Sequence, residues 1–299
     1  MNESEGWGME LKTSERSTEV SNPDSRHSSS GKEAAWEAMA RLNWRVPLSS
    51  VTDGHKNAVV MYHSVGQPGL SGNLTSAQFR RDVIHLVERY AVSDLPAVTS
   101  ATESGPKRVA LTFDDGFANF YENVLPVLRE YRVPATLFVT TGFLDDRDAD
   151  LLRSRHRLSR TDDRIMLTER ELVELADEPL VTIGNHTRTH PNLSTVDDER
   201  IRDEIIGARR LLTDRLGIDV TRFSYPYGDF DSRAVRTVRE THEIAVTMNL
   251  GLVPSNPDPI LLPRVGCDPE LYRLAWNLSD LAHQLKAGVR TVEGLVGSR

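Results

Sequence analysis

Hydrophobic positions along the chain follow two alternating periods. Short apolar runs recur at 57–62, 109–113, 134–140, 180–185, 221–225, 244–248 and 260–265. Continuous apolar runs of this length are expected of strands buried on both faces. Between them, apolar residues recur at helical spacing. One such stretch carries Phe79, Val83, Leu86 and Val87, and a second carries Phe117, Phe120, Tyr121, Val124, Leu125 and Leu128. A third carries Ile201, Ile205, Ile206, Leu211, Leu212 and Leu216. Thr75 or Ser76 starts the first, Asp197 or Asp198 starts the third, and Gly217 closes it. Thr168 and Glu171 form a capping box for a helix to about residue 176. Further helices are predicted over 231–240 and 271–286. Alternating strands and helices predict an α/β fold: a mostly parallel sheet of about seven strands with right-handed crossovers. The periodicity does not separate a closed barrel from an open sheet.

The flanks read differently. Residues 1–31 are rich in Ser, Glu, Asn and Gly and are expected to be disordered. A helix is predicted over 32–42, with Trp36 and Met39 as docking side chains, followed by a connector to residue 56. This divides the chain into an extension (1–56), one α/β domain (57–290) and a flexible tail (291–299). Residues 94–106 read as a loop with room for one short strand. Residues 144–164 read as a loop dense in charge: Asp145, Asp146, Arg147, Asp148, Arg153, Arg155, His156 and Arg157. The loop leaves the carboxyl end of a strand, so it is either a solvated surface or a cover for substrate.

Composition narrows the function classes. The 299 residues are 38% hydrophobic and 27% charged, which suits one large domain with extensions. A net charge of −8 argues against general nucleic-acid binding. Cys267 is the only cysteine, so no intrachain disulfide exists and the thiol reads as a packing residue. No stretch has the apolar length of a membrane span. The first residues carry neither a basic n-region nor an apolar h-region, and a cytoplasmic location is expected.

Two clusters carry the candidate chemistry. The 109–113 strand runs into Asp114 and Asp115, followed by Gly116. Adjacent strand residues point to opposite faces, so both carboxylates serve one site only where the strand ends, and Gly116 permits that turn. The same pair also fits the role of turn and N-cap residues. The 180–185 strand runs likewise into His186 and His190, one helical turn apart, with Pro191 ending any helix there. Two solvated loop histidines are the alternative. Two imidazoles and one carboxylate with an open fourth position are the ligand set of a catalytic zinc site, and a second carboxylate is then free to act as a base.

Three segments in order, Thr112-Phe113-Asp114-Asp115-Gly116, His186-Thr187-Arg188-Thr189-His190-Pro191-Asn192-Leu193 and Tyr225-Pro226-Tyr227-Gly228, resemble the first three motifs of the polysaccharide deacetylase family. This is carbohydrate esterase family 4, the nodulation-protein-B-like homology domain, and the resemblance covers roughly residues 57–267. It implies a distorted (β/α) barrel of about seven parallel strands. It implies a metal-dependent hydrolase that removes N-acetyl groups from an N-acetylated sugar or polysaccharide. Asp115, His186 and His190 would hold one divalent ion, zinc, and Asp114 would be the base for the attacking water. The Tyr227 backbone N–H would help to stabilise the oxyanion. His63 follows Tyr62 at the end of the first strand; similar proteins with this pair place that histidine near the site, and a strand-end histidine without a role is the alternative.

Three departures from the motifs matter. Ser224 stands where many members carry an arginine that orients the base. No Asp-x-x-Asp-Trp segment follows residue 228. The Leu-x-His motif that carries the general acid is replaced by Leu261-Leu262-Pro263-Arg264. These departures are shared with the branch that carries the Tyr-His pair. Arg264 is then either a surface residue or the group that pairs with Asp114 in place of the missing arginine, and the general acid falls to His63, to protonated Asp114 or to water. An amidase of the same fold acting on a small non-sugar amide, and a catalytically silent carbohydrate-binding protein, are the alternative functions.

Overall fold

A computed structural model describes residues 25–46, 56–70, 72–100, 106–158, 164–286 and 288. The expected disorder before residue 25 and the expected tail at 291–299 lie outside the described residues. The chain divides into two compact units, Met1–Met39 and Ala40–Arg299. The first enters the helix Ser25–Arg45, longer at both ends than its strongest helix formers suggest. Adding a residue to an existing helix costs little compared with nucleating one.

Among the described residues, eight strands build the second unit: β1 (Ala58–Tyr62), β2 (Ala91–Val92), β3 (Arg108–Phe113), β4 (Ala135–Val139), β5 (Val181–Asn185), β6 (Arg222–Ser224), β7 (Ile244–Leu250) and β8 (Leu262–Gly266). Their order is β1-β8-β7-β6-β5-β4-β3-β2, and β1 also pairs with β3. All pairings are parallel. Seven strands therefore close into a (β/α) barrel, and β2 is an extra strand on the outside of β3. The ring is uneven. β5 meets β6 at a single pair, Asn185 with Phe223, and the β7–β8 register shifts between Val246 and Leu250.

Alternation along each strand decides what enters the barrel. Ala58, Val60 and Tyr62 of β1 and Val109, Leu111 and Phe113 of β3 pack outward into the core shared with the helices. Val59, Ala110, Phe138, Val246 and Leu262 belong to a smaller core and have the opposite parity, toward the interior. The interior is narrow. Phe138 fits because its strand neighbour is Gly184, where a Cβ would lie 2.5 Å from the Phe138 ring. Carried to the carboxyl ends of the strands, the same parity turns His63, Asp114, Ser224 and Arg264 toward one mouth.

The helices pack outside. Thr75 and Gln78 form a capping box for Ser76–Arg89, and Thr168 and Glu171 form another for Glu169–Ala176. Two helices contain a π turn, Phe120–Val124 before Leu125–Tyr131 and Asp203–Gly207 between Asp198–Arg202 and Ala208–Leu216. The last predicted helix is interrupted: it runs Leu271–Asn277 and resumes at 280–286. No helix among the described residues is long and apolar enough to cross a membrane.

The charged stretch after β4 differs from the loop expected of it. It holds a short 3-10 segment, Thr141–Asp146, and a helix, Ala149–His156, capped by Asp148. Its anchors are apolar: Leu151 and Leu152 pack with Phe117, Phe143, Ile165 and Met166. Charge density masks those two leucines in the sequence. Residues 159–163 lie outside the described residues.

Candidate active site and metal centre

β3 ends at Phe113, and the chain then turns with Asp115 at φ +75° and Gly116 at φ +84°. A non-glycine residue in that region is strained and is held there by its surroundings. Thr187, His190 and Tyr227 also have positive φ, +68°, +52° and +57°. Strained backbone thus gathers at all three motif segments. The turn after β3 brings Asp114 and Asp115 to the same mouth, and both are buried.

Asp115 Oδ1 lies 3.6 Å from His186 Nε2 and 3.5 Å from His190 Nε2. These contacts are too long for hydrogen bonds. They match a different arrangement. In a tetrahedral zinc site with bonds of about 2.0–2.2 Å, neighbouring donor atoms stand roughly 3.3–3.6 Å apart. One donor atom from each of the three residues lies within 4.8 Å of the others, and all three side chains are buried. The tautomer of His186 also fits. Its Nδ1 is 2.8 Å from the Ser224 carbonyl, which only accepts, so Nδ1 carries the proton and Nε2 keeps its lone pair toward Asp115. Burial pushes His190 down to about 3, which keeps it neutral. Burial would raise Asp115, and the facing His156, His186 and His190 outweigh it, so the carboxyl stays well below the usual range. Burial would lower His186, and the facing Asp114 and Asp115 carboxylates outweigh it and raise it. A divalent cation needs both imidazoles neutral beside an ionised carboxylate, and the Ser224 carbonyl holds the Nδ1 proton that leaves Nε2 for the metal. The residues present therefore fit a metal.

The loop that carries the histidines is held by a buried carboxylate. Glu204, within the π turn, accepts from the backbone N–H groups of Arg188 (2.8 Å) and Thr189 (2.7 Å) and from the Thr189 hydroxyl (2.6 Å). Arg200 closes on its other side at 2.6 Å. Thr141 and Gly142 donate to the Thr187 and Arg188 carbonyls, tying the exit of β4 to the same loop. A Cβ at Gly142 would stand 2.6 Å from the Arg188 oxygen, so the approach needs glycine.

Arg264 reaches Asp114 from across the barrel. Its Nη1 donates to Asp114 Oδ1 at 2.8 Å and its Nη2 to Oδ2 at 2.7 Å. The guanidinium is fully buried, and its Nε donates to the Thr247 carbonyl at 2.8 Å. The Ser224 hydroxyl adds a bond of 3.3 Å to Asp114. Burial alone would raise the Asp114 carboxyl; Arg264 first, then the facing histidines, more than offset it and bring it down to about 2. His63 stands at the edge of the group, its Nε2 4.0 Å from Asp114 Oδ2. The Tyr227 ring lies 4.4 Å from that of His190, and its hydroxyl donates to the Arg155 carbonyl at 3.1 Å. All seven residues singled out in the sequence thus meet at one mouth.

The family model described as polysaccharide deacetylase matches residues 101–245. Over that stretch, 145 of its 299 residues, the chain is similar to the polysaccharide deacetylase family. It is 24% identical over 228 residues to YxkH of Bacillus subtilis, a protein grouped by name with the polysaccharide deacetylases, covering 74% of this chain and 75% of that one. It is 25% identical over 170 residues to the poly-beta-1,6-N-acetyl-D-glucosamine N-deacetylase of Staphylococcus aureus, and the aligned part is 54% of each. The chain thus spans about half the length of that relative. Among solved structures, the Streptococcus pyogenes deacetylase PplD in complex with acetate superposes with a TM-score of 0.62 at 21% identity, covering 75% of this chain and 98% of that one. At that identity the likeness shows a shared fold.

Three contributions to this site have weak signals in the sequence. Ser224 stands in the place of the missing arginine, and its hydroxyl adds one bond to Asp114 beside Arg264. Glu204 sits on the apolar face of a helix between Ile201 and Ile205, and that placement was its only signal. His156 lay inside the run of charge at 144–164, and only a helix there brings it to the mouth.

Proposed function

We propose that the protein is a metal-dependent N-deacetylase of an N-acetylated sugar polymer. The observation that carries this reading is the spacing of Asp115 Oδ1, His186 Nε2 and His190 Nε2, with a second, ionised carboxylate beside them. Asp115, His186 and His190 would hold one divalent ion, zinc being the cation their donor types suit best. When bound, that ion supplies Lewis acidity toward the amide carbonyl and toward water.

The chain's own residues would do the rest. Asp114, aimed by the two guanidinium bonds, takes a proton from the attacking water. A carboxyl held near 2 is a weak base, and what Arg264 contributes is a carboxylate kept ionised and fixed. The Tyr227 backbone N–H supports the oxyanion. Cleavage of the amide C–N bond releases acetate and a free amine on the sugar, and the amine takes its proton from His63, from protonated Asp114 or through water.

Support for a sugar substrate comes from the family and from the named activity of the staphylococcal relative. The test is acetate release from a panel of N-acetylated sugars and oligosaccharides beside small non-sugar amides. Release from the sugars supports the proposal. Release from the non-sugar amides alone makes the protein an amidase of this fold, and release from none, with zinc bound, makes it a silent carbohydrate-binding member.

A further inference from the structure

His156 is a buried histidine that none of the three motif segments contains. It is the last residue of the helix Ala149–His156, with a side chain 4% exposed. Its ring packs edge-on against Phe117 and Phe143, at 5.3 and 6.1 Å, and stands 5.1 Å from the ring of His190. Its Nδ1 lies 3.7 Å from Asp115 Oδ2. The two motif histidines face the other oxygen, Oδ1. Asp115 is therefore flanked on both oxygens, by the candidate metal position on one side and by His156 on the other.

Two further features hold this arrangement. The end of the helix is tied across the mouth, since the Arg155 carbonyl accepts from the Tyr227 hydroxyl. His156 Nε2 is buried without a hydrogen-bond partner. The arrangement that places the proton where an acceptor exists is therefore Nδ1–H, directed at Oδ2. A closure of about 0.5 Å would bring that contact to hydrogen-bond length.

We propose that His156 is a positioning residue for Asp115: its Nδ1–H donates to Oδ2 and leaves Oδ1 as the single oxygen turned to the metal. A carboxylate restrained in this way binds through one oxygen, and a metal with fewer protein donors keeps more positions for water and substrate. Partners of this kind, which hold a ligand without touching the metal, typically contribute 10–100-fold in metal affinity. The inference rests on the reading of Asp115, His186 and His190 as the metal ligands.

The test is zinc affinity by chelator competition, on the full chain, for wild type, His156→Leu, His156→Asn and His186→Ala. Leucine fills the pocket between Phe117 and Phe143 without a donor, and asparagine carries an amide N–H close to the place of Nδ1. The expected result is a 10–100-fold loss for His156→Leu and a value within about threefold of wild type for His156→Asn. Equal affinities for wild type and His156→Leu, or an asparagine variant no tighter than leucine, overturn the inference. So does a changed visible spectrum of the cobalt-substituted His156→Asn protein, which would make His156 itself a ligand. His186→Ala separates the two levels: if it binds zinc as wild type does, the metal reading fails before the His156 question arises.

Discussion

Arg264 and Asp114 meet through two parallel hydrogen bonds of 2.8 and 2.7 Å in the barrel interior, although 150 positions separate them in the chain. The seam of the barrel makes this possible. β1 pairs with both β3 and β8, so a single strand lies between the last strand and the strand that ends in the aspartates. Inward parity on β8 does the rest. An arginine missing from its usual place before the motif proline is replaced by one arriving from the opposite end of the sequence.

This pair gives the first prediction. Lysine is a point donor and lacks the planar fork, so Arg264→Lys should be nearly as damaging as Arg264→Ala. Arg264→Ala leaves a buried carboxylate without its partner, at about 3–5 kcal/mol, and Arg264→Lys keeps a charge but not the paired bonds that aim Asp114. Urea unfolding and acetate release for both variants check this, and a lysine variant with near-normal values for both would contradict it.

Asp114→Asn should keep the metal and lose most turnover. A positioned base is typically worth about 10²–10⁴ in rate. Zinc content measured beside acetate release separates the two effects. Near-normal release from the asparagine variant would remove Asp114 from the role.

The depressed Asp114 carboxyl also predicts a pH dependence of stability. Its folded value of about 2 lies below the ordinary 3.8. It therefore contributes stability that is fully present above about pH 4 and is lost as pH falls toward 2, in all about 2 kcal/mol. On acidifying the metal-free protein from pH 5 to 2.5, wild type should lose more stability than Asp114→Asn, which retains only the similar contribution of the depressed Asp115. Parallel curves for the two proteins would be the contrary result.

Much of this was legible in the sequence, for identifiable reasons. The seven barrel strands announced themselves because parallel strands buried on both faces are apolar throughout. The motif aspartates and histidines stood out because each follows such a strand, and strand ends are where a barrel places its site. What stayed hidden depends on contacts between distant segments. Closure into a barrel rests on β1 accepting two neighbours, which periodicity does not encode. Glu204 is polar on an apolar helix face, and its meaning lies in the two backbone N–H groups it meets. His156 needed a helix anchored by Leu151 and Leu152, two apolar residues among many charges.

Glu204 supplies a fourth prediction. Glu204→Gln retains the shape of the side chain and loses the charge that Arg200 and the two loop N–H groups share. The histidine loop should loosen, and zinc affinity should fall by about 10–100-fold while the fold persists. Chelator competition and a circular dichroism spectrum check both halves. Unchanged affinity would mean that the loop is held by its other ties, through Thr141 and Gly142.

The most direct measurement of the central claim is a zinc titration of chelator-stripped protein, read as acetate released from N-acetylglucosamine oligomers. The account predicts no release without metal, and release that rises to a plateau at one equivalent of zinc. His186→Ala, assayed at that same single equivalent, should release none. Full release from the stripped protein, or an undiminished plateau in His186→Ala, would contradict it.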